Sequence, residues 1–269
     1  MIVIITIIFF ALGLIIGSFL NVVIYRINTK KSLGGRSACM SCRNQLQFFE
    51  LVPVFSFLGL KGRCRNCKTK ISLQYPIVEF LTGVIFASLF LKFSAQGGSA
   101  SGGQEILAIF QPEFIITYLY YAAMFSLLLV VVVYDFKHKI IPDTLSFTFG
   151  LLALLGLFLF PAFHIPLLSG FLSGLFIALP FYLLWLVSRG AWMGLGDAKL
   201  AVGLGWFLGF SVALSALVLA FWIGTIIGLG LIFFKKGYGM KSEIPFAPYL
   251  VLGTFIAFIF QLNIFHIYF

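Results

Sequence analysis

The stretch GAWMGLGDAKL at Gly190–Leu200 places a single carboxylate between a flexible turn and a long apolar segment. Its glycines allow the backbone to bend and let another segment approach closely. A charge at the edge of hydrocarbon is costly, so Asp197 is a candidate functional residue. One acid alone supports little chemistry. The candidate partner is Asp135, which begins the segment DFKHKIIPD.

The composition is that of a polytopic membrane protein. Of the 269 residues 61% are hydrophobic and only 10% are charged, and the mean hydropathy is +1.11. Soluble globular domains are not composed in this way. The formal net charge of +10 is concentrated, because ten of the eighteen Lys and Arg residues lie between Arg26 and Lys70. Beside membrane spans, such a basic loop favours cytoplasmic retention next to anionic lipid over nucleic-acid binding.

Hydropathy predicts an all-α fold of about eight transmembrane helices, since each span needs roughly 20 apolar residues. With the first loop inside, the alternation leaves seventeen of the eighteen Lys and Arg residues on the cytoplasmic side, Lys92 being the exception. Merging the sixth and seventh segments would break this agreement with the positive-inside rule. The predicted spans are 3–25, 76–92, 115–134, 142–160, 167–188, 197–209, 211–234 and 246–263.

This topology divides the chain into three parts: a first transmembrane helix in residues 1–27, a cytoplasmic loop domain in 28–74, and a seven-helix membrane domain in 75–269. The first segment lacks a basic n-region and a small-residue cleavage site, so we interpret it as a span and not as a signal peptide. The segment 94–103 is predicted to be a flexible outward loop, and 161–166 a tight outward turn.

The loop domain contains all four cysteines, arranged as two CxxC pairs separated by 21 residues. Two such knuckles predict one tetrahedral zinc ion. Two disulfides are the alternative, but a location on the reducing side of the membrane argues against them. Four thiolates leave no position for a catalytic water, so the zinc would be structural. The predicted ligands are Cys39, Cys42, Cys64 and Cys67.

Asp135 and Asp197 each lie at the cytoplasmic end of a predicted span, the third and the sixth. Helix packing could bring them to the same depth and face to face. Two adjacent carboxylates share a proton, so one can activate water while the other donates a proton, as in aspartic proteases. The alternative is that both are interfacial charges paired with Lys137, Lys139 or Lys199. Asp143 follows Pro142 and could equally cap a helix.

Beyond these features, the sequence resembles the bifunctional type IV prepilin peptidases along nearly the whole chain. The matching motifs are GSFLNVVIYR at Gly17–Arg26, the four cysteines, ELVPVFSFLGLKGRCRNC at Glu50–Cys67, YPIVEFLTG at Tyr75–Gly83, DFKHKIIPD at Asp135–Asp143, MGLGDAKL at Met193–Leu200 and IPFAPYL at Ile244–Leu250.

The resemblance implies a membrane aspartic endopeptidase of the bacterial inner membrane. Such enzymes remove the short basic leader of prepilins or pseudopilins after a glycine, on the cytoplasmic side, and then methylate the new terminal amine with S-adenosylmethionine. The catalytic pair falls on Asp135 and Asp197. The implied supporting residues are Asp143, Gly194, Gly196 and Lys199.

The methyl-transfer activity is implied by the resemblance alone, because the chain carries no glycine-rich nucleotide fingerprint in a strand context. The family's amino-terminal region and first cytoplasmic loop are tied to this activity. The candidate residues there are Glu50, Glu79, Asn21 and Arg26. A buried carboxylate paired with a loop arginine is the alternative for Glu79, and helix packing or a boundary charge is the alternative for Asn21 and Arg26.

Three other functions compete with this interpretation. The GLGD sequence ending at Asp197 is also typical of presenilin-like proteases, but the chain lacks their Pro-Ala-Leu motif, for which PFAP at Pro245–Pro248 is no clear substitute. An ion-coupled transporter could use Asp135 and Asp197 as a cation site, yet repeated halves are not found. A zinc-ribbon membrane adaptor would leave both acids without a role.

Overall fold

The structure is a computed structural model that describes residues 1–29, 32, 34–97, 111–159, 167–234 and 244–265. Across these ranges the chain forms helices, two isolated β-bridges and no strands. The helices are α1 (Ile2–Arg26), α2 (Phe55–Gly59), α3 (Gln74–Gly97), α4 (Pro112–His138), α5 (Asp143–Leu159), α6 (Leu167–Ser188), α7 (Leu195–Leu208), α8 (Phe210–Phe234) and α9 (Ala247–Phe260), with a 3₁₀ turn at Phe48–Leu51 before α2.

Each of the eight predicted spans coincides with one helix, so the prediction of an all-α polytopic membrane protein is confirmed. Five helices, α1, α3, α4, α6 and α8, are long and apolar enough to cross a bilayer. The other three are shorter, with 17 residues in α5 and 14 each in α7 and α9. The first four residues of the flexible loop predicted at 94–103 belong instead to α3, which continues to Gly97. The rest of that loop and the predicted turn at 161–166 lie outside the described residues.

The division between the sixth and seventh predicted spans is confirmed at Gly209. This residue separates α7 from α8 with φ +73° and ψ 167°, and its N–H donates to the carbonyl of Gly205. That backbone conformation is open almost only to glycine. The segment from Leu195 to Phe234 therefore forms two helices that meet at Gly209, as the charge distribution predicted.

The chain forms two compact units, Met1–Ser126 and Leu127–Phe269. In the first unit, α1 and α3 pack closely through Gly13 and Gly17. A Cβ atom on Gly17 would lie 2.6 Å from the Glu79 Cα, and one on Gly13 would lie 2.6 Å from the Thr82 carbonyl oxygen. Small residues spaced four apart permit this approach of two membrane helices. The predicted loop domain, with its cysteines, lies within this unit.

In the second unit, α7 packs against α5 on one side and α6 on the other. A Cβ atom on Gly203 would lie 2.6 Å from the Phe149 ring of α5, and one on Gly205 would lie 2.6 Å from the Gly174 Cα of α6. The Ser173 hydroxyl donates to the Gly205 carbonyl at 2.7 Å. The glycine-rich sequence of α7 therefore serves its packing, and this packing positions the amino-terminal turn that carries Asp197.

Candidate functional site

Asp135 lies in the last turn of α4 and is only 5% exposed. Its carboxylate accepts a hydrogen bond from the backbone N–H of Ala247, the first residue of α9. Helix amino termini present free N–H groups and a partial positive charge, which stabilise anions. The Oδ2 atom of Asp135 is buried and has no hydrogen-bond partner among the described residues. This oxygen is therefore available to a bound molecule.

Asp197 is the third residue of α7, and its carboxylate accepts a hydrogen bond from the backbone N–H of Gly194. The Asp197 N–H in turn donates to the Gly194 carbonyl at 3.3 Å. An acid at this position that reaches back to the N-cap residue satisfies a donor that the helix itself leaves free. The side chain of Asp197 is partly exposed. The helix start thus orients the carboxylate while leaving it accessible.

The structure brings these two acids together within the second unit. The negative charge of Asp135 acts on Asp197, although the residues belong to different helices. Asp135 is the more buried of the two. One carboxylate is held by the start of α9 and the other by the turn before α7. Two carboxylates that interact in this way can share one proton and polarise a water molecule.

Gly196 allows the start of α7 to lie against the turn between α4 and α5. A Cβ atom at this position would sit 3.0 Å from the Cβ of Ile141, closer than side chains normally approach. Gly194 is less constrained, since its Cβ would lie 3.8 Å from the Asp197 Oδ2 atom, an ordinary contact. Of the two glycines, Gly196 has the clearer steric requirement.

Lys199 and Asp143 form an ion pair that joins α7 to α5. The Nζ atom lies 2.6 Å from the Asp143 Oδ1 atom, with the side chains 30% and 63% exposed. The ammonium group also lies 5.5 Å from the centre of the Phe147 ring. Lys199 is therefore engaged by Asp143 and not by Asp197. The pair links the first turns of two helices next to the dyad.

The four cysteines form a compact cluster. All four are free thiols, and their Sγ atoms lie within 4.8 Å of one another. Each CxxC pair sits in an equivalent loop. The Cys39 N–H donates to the Asn44 carbonyl and the Cys64 N–H to the Thr69 carbonyl, both at 2.9 Å. Antiparallel bridges between residues 38 and 45 and between 63 and 70 close the two loops. This cluster can bind a metal ion.

Thr69 also prepares one of the thiols for metal binding. Hydrogen bonds with the hydroxyl group and the backbone N–H of Thr69 lower the pKa of the Cys67 thiol to about 6. The thiolate is the metal-binding form of cysteine. The Sγ atoms of Cys39 and Cys67 lie 3.8 Å apart, which is too far for a disulfide bond.

Glu79 and Asn21, two of the candidates for methyl transfer, lie at the interface of α1 and α3. Glu79 is 8% exposed, and its Oε2 atom accepts a hydrogen bond from the Val54 N–H at 2.8 Å. Its other partner is the Ser18 hydroxyl. Among the described residues, the contacts of Glu79 therefore come from a backbone group and a serine and not from an arginine. The Asn21 amide donates to the Tyr75 carbonyl at 3.1 Å, while its Oδ1 atom is buried without a partner in the described residues.

Glu50 and Arg26 are occupied in local contacts of the loop. Glu50 accepts the Gln47 N–H at 2.7 Å and so caps the 3₁₀ turn. Arg26 donates to the carbonyls of Ser32 and Gly34 at 2.5 and 2.7 Å. Glu50 and Arg26 are therefore held by contacts within the loop, whereas Glu79 and Asn21 both lie at the interface of α1 and α3.

One feature of the dyad was not anticipated from the sequence. The segment PFAP is no clear substitute for a presenilin-type motif, yet it positions Ala247 to donate its N–H to Asp135. Pro248 at the start of α9 is the available signal, because proline is favoured in the first turn of a helix. A backbone N–H donor requires no particular residue type, so the sequence gives no other indication of it.

Two family models match separate parts of the chain. Residues 11–93, which include the cysteines, match the family model described as "Bacterial Peptidase A24 N-terminal domain". Residues 122–229, which include Asp135 and Asp197, match the "Type IV leader peptidase family". No solved structure matches the chain.

Curated relatives named "Prepilin leader peptidase/N-methyltransferase" match most of the chain. The Myxococcus xanthus protein is 32% identical over 87% of this chain, which spans 65% of that relative's length. The Aeromonas hydrophila protein is 30% identical over 92% of this chain and 88% of its own length. The Bacillus subtilis protein is 29% identical over 97% of this chain and 96% of its own length. The chain belongs to the type IV leader peptidase family.

Proposed function

We propose that this protein is a membrane aspartic endopeptidase that removes the short basic leader of type IV prepilins or pseudopilins and then methylates the new amino terminus. The observation that carries the proposal is the pairing of Asp135 on α4 with Asp197 on α7, inside the segment that matches the leader peptidase family. The name of the relatives supports both activities.

Asp135 and Asp197 are the proposed catalytic residues. Between them they hold one proton and one negative charge. The ionised carboxylate removes a proton from a water molecule as the water oxygen bonds to the scissile carbonyl carbon. The protonated carboxylic acid then donates its proton to the amide nitrogen as the C–N bond breaks. The products are a leader ending in a carboxylate and a pilin with a free amino terminus, and the dyad is ready for another cycle.

Supporting roles follow from the contacts around the dyad. The Ala247 N–H fixes the orientation of Asp135, and the Gly194 N–H fixes that of Asp197. The Lys199–Asp143 ion pair holds the first turns of α7 and α5 together. Preorganised donors of this kind keep reacting groups in place without rearrangement during the reaction.

Methylation can only follow cleavage, because the amine that receives the methyl group does not exist in the precursor. S-adenosylmethionine is the proposed methyl donor, and it would supply an electrophilic methyl group to the neutral amine. Glu50, Glu79, Asn21 and Arg26 remain the candidate residues. The Oδ1 atom of Asn21, buried and without a hydrogen-bond partner among the described residues, could accept a hydrogen bond from a bound group. The methyl-transfer proposal rests on the relatives' name.

The cysteine cluster is proposed to hold one structural zinc ion. A tetrahedral site with Zn–S bonds of about 2.3 Å has sulfur–sulfur edges of about 3.8 Å, and Cys39 and Cys67 show this separation. A structural zinc would stabilise a loop that has few buried apolar side chains of its own. In this assignment, zinc takes no part in peptide hydrolysis.

The positive-inside rule supports placing the dyad and the cysteine cluster at the cytoplasmic face of the inner membrane. A basic leader would end there, after a glycine that precedes the apolar pilin helix. Anionic lipid headgroups are the proposed surroundings of the basic loop, and no nucleic-acid partner is proposed. Membership of the leader peptidase family favours this function over a presenilin-like protease or a transporter.

The decisive experiment incubates the purified protein with a prepilin and S-adenosylmethionine and determines the mass of the product. The proposal predicts loss of the leader after the glycine, followed by a gain of one methyl group. Omission of S-adenosylmethionine should leave cleavage intact and abolish only the methyl gain. An intact prepilin after prolonged incubation with folded, zinc-loaded protein would contradict the peptidase assignment.

A further inference from the structure

Residues 48–58, here called the apolar loop, expose an unusual amount of hydrocarbon for a segment between two membrane helices. The Phe48, Phe55 and Leu58 side chains are 86%, 67% and 64% exposed. Phe49 and Leu51 add further exposed apolar surface at 52% and 40%. A cluster of this kind marks a surface that meets a partner or a membrane.

The apolar loop is tied to α3 at a depth where α3 itself faces lipid. Its central Val54 N–H donates to the Glu79 side chain at 2.8 Å. Glu79 is five residues beyond the start of α3 at Gln74, or about 7.5 Å along the helix axis. Its neighbours Ile77 and Phe80 are 52% and 51% exposed on this membrane-spanning helix. The hydrogen bond therefore holds the middle of the loop at the level of lipid-facing side chains.

Contacts with α1 also place the anchoring point of the apolar loop beside a membrane-spanning helix. The second partner of Glu79 is the Ser18 hydroxyl, eight residues before the end of α1 at Arg26. The adjacent Phe19 is 52% exposed. The anchoring point of the loop thus lies more than one helical turn inside both α1 and α3.

The backbone of the apolar loop is suited to a medium that contains little water. Within the loop, the Ser56 N–H donates to the Val52 carbonyl and the Leu58 N–H to the Val54 carbonyl, both at 3.0 Å. At the other end, the Gln47 N–H is accepted by Glu50 at 2.7 Å. Polar backbone groups must be paired before a segment can enter an apolar phase. These pairs lower the cost of placing the loop at the membrane surface.

Basic residues flank the apolar loop on its carboxyl-terminal side. A cavity of about 460 Å³ is lined by Leu60, Lys61, Arg63, Cys64, Arg65 and Lys68, that is, by four cations and no acid. The Arg65 guanidinium lies 5.0 Å from the centre of the Phe49 ring, so the basic and apolar surfaces are continuous. Aromatic residues next to Lys and Arg are typical of segments that lie in a membrane interface.

We propose that the apolar loop is an interfacial membrane anchor, with Phe48, Phe55 and Leu58 inserted among the lipid headgroups and the flanking cations bound to anionic headgroups. The partner is the bilayer that already surrounds α1 and α3. The prepilin's apolar helix is the other conceivable occupant, but it would not explain why the loop is fixed at the depth of Glu79. This inference concerns membrane contact and is independent of the proposed catalysis.

The test places an environment-sensitive fluorescent amino acid at Phe48 or Phe55 in the full chain, reconstituted in phosphatidylcholine vesicles with or without phosphatidylglycerol. Quenching by acyl-brominated lipid reports contact with the bilayer, and quenching by iodide reports contact with water. Ser41, exposed in the first cysteine loop, is the matched aqueous position. Phe80 on α3 is the lipid-facing reference.

Labels at Phe48 and Phe55 should emit at shorter wavelength than a label at Ser41. Brominated lipid should quench most of their emission, as it does for a label at Phe80. Iodide should quench them only weakly. Phosphatidylglycerol should strengthen this protection, and Lys61→Gln combined with Arg63→Gln should remove the strengthening. An unfolding temperature close to that of the unsubstituted protein identifies the folded variants. Iodide quenching of both labels as at Ser41 would overturn the proposal. Protection that develops only after a prepilin peptide is added would likewise overturn it, in favour of a substrate surface.

Discussion

Gly205→Ala tests the packing that positions Asp197. In the structure, α7 and α6 approach so closely that an added Cβ would lie 2.6 Å from both the Gly174 Cα atom and the Ser173 carbonyl oxygen. Ordinary contacts begin near 3.4 Å, so the two helices must separate by about 0.8 Å, given that carbon atoms pack best at about 3.5–4.0 Å. Because these are backbone atoms, no side-chain rotation can relieve the contact.

The expected size of the effect combines two opposing contributions. Overpacking of this kind costs about 1–3 kcal/mol, whereas replacing a helical glycine by alanine contributes about 0.5–1 kcal/mol of stability. Gly230→Ala on α8 is the matched control, because its Cβ would meet nothing within 4 Å. Gly205→Ala should therefore lower the unfolding temperature in detergent, while Gly230→Ala should leave it unchanged or raise it.

Catalysis should be more sensitive than stability to this change. Asp197 lies eight residues before Gly205 on α7, so a displaced helix also displaces the carboxylate. A misplacement of about 1 Å can cost about 100-fold in rate. Steady-state cleavage of a prepilin peptide should show a fall in kcat for Gly205→Ala and an unchanged kcat for Gly230→Ala. Equal stability and equal kcat for the two variants would refute the close approach of α6 and α7 as the device that positions Asp197.

Three further perturbations follow from the other contacts. Asp143→Asn and Lys199→Gln should each lower kcat/KM by at most about fivefold, because exposed ion pairs contribute about 0.2–1 kcal/mol. The double variant should have the same kcat/KM as either single variant. Additive losses in the double variant would show that the two residues do not act through their ion pair. Cys64→Ser should release zinc, as measured by elemental analysis, and the absence of zinc from the wild-type protein would contradict the metal assignment. Glu50→Ala and Glu79→Ala should each reduce methylation more than cleavage, with both activities measured from the mass of the product. Equal losses of both activities would assign these residues to structural support.

Hydropathy and charge together were sufficient to predict the eight longer helices. The eight segments emerged from apolar length, and the break at Gly209 followed from the need to keep basic residues on one side of the membrane. The cysteine cluster was likewise predictable, since the spacing of two CxxC pairs reflects the geometry of a tetrahedral ion. Apolar segments and CxxC pairs can be recognised because their residues lie close together in the sequence.

The contacts that orient the dyad could not be predicted in the same way. The Ala247 N–H that binds Asp135 is a backbone group, and any residue except proline could supply it. The partners of Glu79, a backbone N–H and the Ser18 hydroxyl, depend on the close packing of α1 and α3. The 3₁₀ turn and α2, short elements in the cysteine loop, also lack the periodicity that identifies longer helices.

The most direct test of the account is single-turnover cleavage of a prepilin by Asp135→Asn and Asp197→Asn. The substitutions keep the size of each side chain while removing its ability to exchange a proton, and Asp143→Asn provides the matched control on an exposed acid of the same motif. We predict that each of the first two variants loses about 100-fold to 10,000-fold in cleavage rate, with its unfolding temperature and zinc content preserved. The control, which loses only the exposed Lys199 ion pair, should lose at most about fivefold. Wild-type cleavage by either dyad variant would contradict the account.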